Sequence, residues 1–488
     1  MATKLKRDYF LKFKTILSNR FYKEGEAQAI AISAGITLSA IEFSGKAINT
    51  WSSVLNQAEI EEKLELLLRS AIAQSGEDVE LKGFLDEIVS GMAFQTQQPL
   101  GKEPAKNTFN EWLTKSLVEA IRPYSKKAND FLTTNSDWET NADLIPTVKR
   151  IIISGYVGVL GIQLRKLMSI GEEDFSESKM KRYLENSLLT AKRALQLICY
   201  ALLSKLWDHQ LNNNGKLSQI QTNALVKFFK NAAEESITGF ADLLKTLIEA
   251  FSENNLDLPI PQLKELQPNL QAGSSFRDAC TNLQAVIELL NKSSYTSDHC
   301  TEAEKNLTVV LENLNFLAEY KMISIKDIGY SRQRNDKEEL YLHNYTILEG
   351  DSQANNNQGK VRKENSPVIS YAVLLFKENY RQNINMVPFI IDYNGLALTG
   401  GSKICFYSFC NTYDDLNLNY SFIEDNSKVT IKKSRNPMPD EKDITAINKW
   451  LANPENRKDM NFDNVFNLFN EAKKTLAGLE EEIIEDKL

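Results

Sequence analysis

Residues able to do chemistry are few in this 488-residue chain, and their spacing suits catalysis poorly. The lysine that follows paired glycines, in Gly400-Gly401-Ser402-Lys403, lacks the spacing of a phosphate-binding loop and opens a strand-like run, so a turn is expected there. His299 and Cys300 are adjacent, yet a thiol–imidazole dyad needs side chains that meet in space, which chain neighbours rarely do. No local signature of a thiol protease surrounds them. Asp392, Asp414, Asp415, Glu424 and Asp425 sit at the ends of strand-like runs. Gathered in space, they could offer hard oxygen ligands to Mg²⁺ or Ca²⁺, but their spacing matches no known loop and solvated turn acids are commoner. An enzyme would have to build its site there, from Asp392, Asp414 or Cys405. No catalytic, metal-binding or cofactor-binding residue is assigned, and a non-enzymatic role is expected.

Composition narrows the classes further. Five cysteines (Cys199, Cys280, Cys300, Cys405, Cys410) lack any C-x-x-C pair, and there are three histidines. A disulfide framework and a zinc ribbon are both disfavoured, and a reducing compartment fits best. Net charge is −8, so no nucleic-acid partner is expected. Lys4, Lys6, Arg7, Lys12 and Lys14 interrupt every apolar stretch at the start, which argues against a signal peptide and for a cytoplasmic location.

The most apolar run is Ile151–Leu164, bracketed by Lys149-Arg150 and Arg165-Lys166. As helix its fourteen residues span about 21 Å, short of a bilayer's hydrocarbon core. Gly155, Gly158 and Gly161 recur every three residues and would let another helix approach closely. A buried bundle helix over Ile145–Met168 is expected, with a membrane-perturbing segment as the alternative.

The elements around these residues follow from periodicity. Length and pattern predict a multidomain chain, mainly α in its N-terminal and central regions, followed by an α+β C-terminal region. The first part, residues 1–94, opens with an amphipathic helix from Lys4 to Phe21 carrying Tyr9, Phe13, Leu17 and Phe21. A helix over Ala27–Ala34 ends at Gly35, and Ser44 is placed to cap a helix bearing Ile48, Trp51, Leu55 and Ala58. Leu64, Leu67, Leu68 and Ala71 mark another helix, and Leu81, Phe84, Leu85 and Ile88 a last one. Residues 95–107, with Pro99 and Pro104, read as a linker.

Residues 108–319 read as a helical domain, including one long helix over Lys179–Leu211 that is apolar on several faces. From 320 to 433 the pattern turns β-rich, with a polar loop at 350–366. Residues 434–488 supply two helices and an acidic tail.

The N-terminal motifs carry a resemblance. Ala34-Gly35-Ile36, then Ile41-Glu42-Phe43-Ser44-Gly45, then Trp51 with Val54-Leu55, then Leu64, Leu67 and Leu68, resemble effector-associated domain 1 of bacterial conflict systems over residues 20–90. That family places an aromatic-Pro turn after its Leu-rich helix; this chain has Gln74-Ser75-Gly76-Glu77, which predicts a different entry angle for the last helix. The resemblance implies a death-like helical bundle that docks onto a matching domain of a partner protein, joining sensor to effector in anti-phage defence. Trp51, Leu55, Leu64 and Leu68 face inward by periodicity and would hold the fold. The opposite face of the Leu-rich helix presents Glu62, Leu66, Arg69 and Ala73. Leu66, ringed by Glu62, Glu65 and Arg69, is the expected partner contact, with a scattered surface leucine as the alternative.

Overall fold

A computed structural model of the chain describes residues 7–38, 41, 47–61, 63–76, 78–89, 109–213, 216–231, 236–334, 337–350, 359–410, 417–434, 439 and 443–479. The chain is mainly α through its N-terminal and central regions and α+β at its C-terminal end. It divides into two units, Met1–Lys106 and Asn107–Leu488.

The N-terminal unit contains α1 (Arg7–Arg20), α2 (Glu24–Ser33), α3 (Ala47–Ile60), α4 (Leu64–Ser75) and α5 (Val79–Val89). Each helix buries its periodic stripe in a shared interior: Phe13, Leu17 and Phe21, then Ile30, Trp51 and Leu55, then Leu67, Leu68 and Leu81. The Phe13 and Phe84 rings stack with centroids 5.7 Å apart. The Trp51 indole donates to the Phe21 carbonyl at 2.8 Å, which satisfies the one polar atom that this large side chain carries inward. Gly35 ends α2 with φ of +71°, a left-handed conformation in which a side chain would be strained. Asp78 accepts the amides of Glu80 and Leu81 at the start of α5 and pairs with Arg20 of α1, so one carboxylate ties two helices. The expected cap at Ser44 lies outside the described residues.

The larger unit begins with α6 (Glu111–Ala120), α7 (Lys126–Thr134), α8 (Ile145–Gly155), α9 (Gly158–Glu172), α10 (Glu177–Asn213), α11 (Gln219–Asn231) and α12 (Ile237–Glu253). After the single turn α13 (Leu263–Leu266) come α14 (Ser275–Asn291) and α15 (Ser297–Asn313). Strands β1 (Lys321–Ser331), β2 (Leu340–Leu348), β3 (Lys360–Glu364), β4 (Val373–Phe376) and β5 (Ile384–Asn385) form an antiparallel sheet in the order β3-β2-β1-β4-β5. Next come β6 (Ile390–Asp392) and the single turn α16 (Tyr393–Leu396). With β7 (Ile404–Cys410), β8 (Asn417–Phe422) and β9 (Lys428–Lys432), β6 forms a second antiparallel sheet, in the order β6-β7-β8-β9. Helices α17 (Ile444–Leu451) and α18 (Pro454–Ala477) follow. Helix α10 packs against α9, α12, α14, α15, α18 and β5, which explains its apolar residues on several faces. One apolar core runs from the helices into both sheets, through Leu197, Tyr200, Phe228, Phe389, Phe406 and Phe469.

Two expectations are corrected. The helix expected over Ile145–Met168 is two helices, α8 and α9, because Tyr156 takes an extended conformation between them. Gly161 does admit a helix, since a Cβ there would lie 2.2 Å from the Ile153 carbonyl oxygen of α8, and Gly158 and Gly161 also admit the chain at the end of β2. A Cβ on Gly158 would lie 1.8 Å from the Leu348 carbonyl oxygen, and one on Gly161 would lie 2.7 Å from the Gly350 Cα. The polar stretch at 350–366 contains β3, an edge strand whose side chains face water except Glu364. Charged residues on an edge strand deter further pairing, and they also hide the strand from a search for apolar alternation. Among the described residues no helix is long and apolar enough to cross a membrane.

Candidate functional site

The N-terminal unit presents two apolar features to solvent. On α4, Leu64, Leu67, Leu68 and Ala71 are buried, while Leu66 is 51% exposed. Its neighbours Glu65 and Arg69 pair across one helical turn, 2.7 Å apart. The structure therefore puts Glu65, Leu66 and Arg69 on solvent, as the periodicity predicts; Glu62 lies outside the described residues. Both side chains of the Glu65–Arg69 bridge are about half exposed, so solvent screens the pair and its value to the fold is slight.

The second feature was missed by periodicity. Between α1 and α5 a groove of about 690 Å³ is lined by Leu11, Ile16, Val79 and Phe84, with Lys12, Glu80 and Glu87 at its edges. Leu11 is 46% exposed and Val79 84% exposed. Leu11 falls off the Tyr9–Phe13–Leu17 stripe, as Leu66 falls off the Leu64–Leu68 stripe, so the same signal could have found it. An apolar side chain entering this groove would meet apolar walls and a mixed-charge rim, the pattern of a protein-docking surface.

In the larger unit the residues singled out for chemistry hold the fold. Asp392 is wholly buried, and its oxygens accept from Ser324 Oγ at 2.6 Å, the Lys403 amide at 2.8 Å, the Gly395 amide at 3.3 Å and the Lys326 ammonium. It thus joins β1 to the α16 turn and to the start of β7, and the amide of Lys403 in Gly400-Gly401-Ser402-Lys403 serves that junction. The Lys403 ammonium lies 3.7 Å over the Phe422 ring. Cys405 is buried and burial pushes its thiol far above the ordinary range, where it is a poor nucleophile.

His299 and Cys300 point to different tasks. The His299 Nδ1 accepts the Thr296 amide at 3.0 Å and closes the N-terminus of α15. The Cys300 thiol is buried against the Met180 carbonyl, and burial pushes its pKa up to about 12. Glu424 is half-buried, Asp425 is exposed, and Asp414 and Asp415 lie outside the described residues. Asp425 accepts the amide and hydroxyl of Ser427 in a tight turn. Among the described residues no three His, Cys, Asp or Glu side chains gather as metal ligands would.

A buried carboxylate that no motif or spacing marks is Glu304 on α15. It accepts the amides of Asn110 and Leu113 at 2.9 and 3.0 Å and the Tyr183 hydroxyl at 2.8 Å. A negative charge there caps the positive end of α6, where four amides lack helical partners.

Comparison with known proteins gives no match for this chain, whether to a family model, a curated protein or a solved structure.

Proposed function

We propose that this chain is a non-enzymatic adaptor or sensor component of a bacterial defence system. In this reading the N-terminal unit docks onto a matching domain of an effector protein, and the larger unit senses a signal or holds the effector, in the cytoplasm. The observation that supports it most is an N-terminal unit with its own apolar interior that still leaves Leu66, Leu11 and Val79 facing water. A unit built to dock needs this combination, a closed core and apolar side chains left outside it. The effector-associated resemblance supplies the direction, a like domain as partner.

The membrane-active alternative loses the feature that motivated it, since residues 145–168 are broken at Tyr156 into two short helices. The enzyme alternative rested on Asp392, Asp414 or Cys405; Asp392 and Cys405 are engaged within the fold, and Asp414 lies outside the described residues.

Affinity purification from the native host, comparing the full chain with a variant lacking residues 1–95, tests the reading. A second protein bearing a similar helical domain, recovered only with the full chain, supports it. Identical recoveries overturn it. Leu66→Asp and Leu11→Asp then separate the two surfaces: the one that docks loses the partner at least ten-fold, with helicity by circular dichroism unchanged. If Leu66→Asp leaves binding intact, the α4 face has no part in docking.

A further inference from the structure

The larger unit contains a cavity of about 1000 Å³ between α9, α10, the start of α12, α14 and the turn joining β8 to β9. Small-molecule sites run from about 300 to 1000 Å³, so this one has room for a ligand of drug-like size or larger. Its walls are of two kinds. Leu188 and Leu189 of α10, Ile237 of α12 and Ile287 of α14 give an apolar side. Arg165 and Lys166 of α9 and Lys192 of α10 give a cationic one, set against the carboxylates Glu185 and Asp425.

A second cavity lacks this excess. At about 840 Å³, it balances Lys205, Lys377 and Arg381 against Asp208, Asp257 and Glu378. On a chain of net charge −8, the larger cavity is the one with surplus positive charge.

Arg193 adds an independent observation. It is 3% exposed, adjoins Lys192 along α10, and lies 4.7 Å over the Phe406 ring. Its guanidinium donates to two neutral amides, Gln196 Oε1 and Asn426 Oδ1, each at 2.9 Å, and its Nε has no partner among the described residues. Burial lowers its pKa to about 10. A buried cation served by neutral groups alone is costly, and a nearby anion offsets that cost. Asn426 itself lines the cavity and holds a left-handed φ of 55°. The bond from Arg193 thus fixes the β8–β9 turn as the lip of the cavity and places the buried charge directly behind it.

We infer that this cavity binds a small amphipathic organic anion, its charged head held by Arg165, Lys166 and Lys192 and its apolar body by Leu188, Leu189 and Ile237. The inference does not depend on what the N-terminal unit docks. Two dyes with the same aromatic skeleton test it on the full chain: anionic 1-anilinonaphthalene-8-sulfonate and neutral N-phenyl-1-naphthylamine, each followed by fluorescence titration. The anionic dye is expected to bind saturably and at least ten-fold more tightly than the neutral one. Lys192→Glu, or Lys166→Glu where the first variant does not fold, weakens the anionic dye ten-fold or more and leaves the neutral dye within two-fold. Lys205→Glu, in the charge-balanced cavity, changes neither. Equal affinity for the two dyes, no saturable binding of the anionic one, or an anionic-dye affinity unchanged in a folded Lys192→Glu or Lys166→Glu protein overturns the inference.

Discussion

Polar contacts in the two units reach across very different lengths of chain. In the N-terminal unit the indole of Trp51 reaches back 30 residues to Phe21, and the Lys63 ammonium 28 residues to the Gly35 carbonyl. In the larger unit Glu304 meets Asn110 across 194 residues, the Tyr200 hydroxyl meets the Tyr407 carbonyl across 207, and Gln163 meets the Ile423 carbonyl across 260. In the second set the first bond joins α15 to the start of α6. The other two join helices to the second sheet and the turn after β8, and each member is buried. Contacts this distant can form only after long loops have closed, whereas the N-terminal contacts close shorter ones, up to the 60 residues between Arg20 and Glu80. The N-terminal unit is thus a module that holds itself together within its own hundred or so residues. The larger unit is held by a few buried polar pins on which its whole arrangement depends.

Breaking one pin should therefore cost the larger unit much and the module nothing. Glu304→Ala leaves the buried amides of Asn110 and Leu113 without an acceptor, while the Tyr183 hydroxyl keeps Asn110 Oδ1 at 2.9 Å, a loss on the order of 3–5 kcal/mol. Hydrogen exchange is expected to show protection falling through α6, α10 and α15 while α3 and α4 keep theirs. An equal fall in α3 would show that the two units unfold as one, and the comparison would fail.

Glycines sharpen the contrast with a change of sign. Gly158→Ala drives a Cβ to 1.8 Å from a backbone oxygen at the end of β2, which cannot rotate away as a flexible side chain could. Overpacking of this kind costs about 1–3 kcal/mol or more. Gly83, inside α5, has nothing within 4 Å of the added carbon. There Gly83→Ala removes freedom from the unfolded chain and stabilises the module by about 0.5–1 kcal/mol. Urea midpoints of the two variants should move in opposite directions; a stable Gly158→Ala protein would mean that α9 does not sit tight against β2.

Periodicity made the module's interior legible, because each helix has one wet face and one dry one. The stripe Phe13–Leu17–Phe21 and the pairs Trp51–Leu55 and Leu64–Leu68 are buried as their spacing requires. The long helix α10 was equally plain. The break at Tyr156 was not, since an uninterrupted apolar run reads the same whether one helix or two is buried. Strand β3 was hidden because a charged edge strand has no alternation to find. Helix α7 is short and polar, and its cap at Ser125 is the one local sign of it. The sequence pattern changes at residue 320, yet the apolar core passes from helices to sheets without interruption. As for candidate sites, a lone off-stripe leucine is visible in sequence, which is how Leu66 was found. The cationic cavity was out of reach, because Asn426 lies more than 200 residues from Arg165 and Lys192 in the chain and only packing brings them together.

The module's local ties also give it a pH dependence of its own. Glu61 accepts the Gln57 amide at 2.7 Å, the Lys63 ammonium at 2.7 Å and the Thr37 backbone amide at 3.0 Å. These bonds favour the charged form and lower its pKa from an ordinary 4.5 to about 2. Because the folded value lies below the unfolded one, the unfolded chain takes up a proton first as the medium becomes acid. The stability that Glu61 contributes is then complete above about pH 4.5 and fades as the pH falls toward 2. Glu61→Gln removes that contribution, so the variant and the parent should differ in the urea midpoint of the module at pH 6 and converge by pH 2. The Lys63 ammonium would still reach the Gly35 carbonyl at 2.5 Å in the variant, which keeps the α2 turn anchored and confines the change to the carboxylate. A gap between parent and variant that stays constant from pH 6 to pH 2 would mean that the three bonds hold shape without favouring the charge, and that the local ties of the module are steric and not electrostatic.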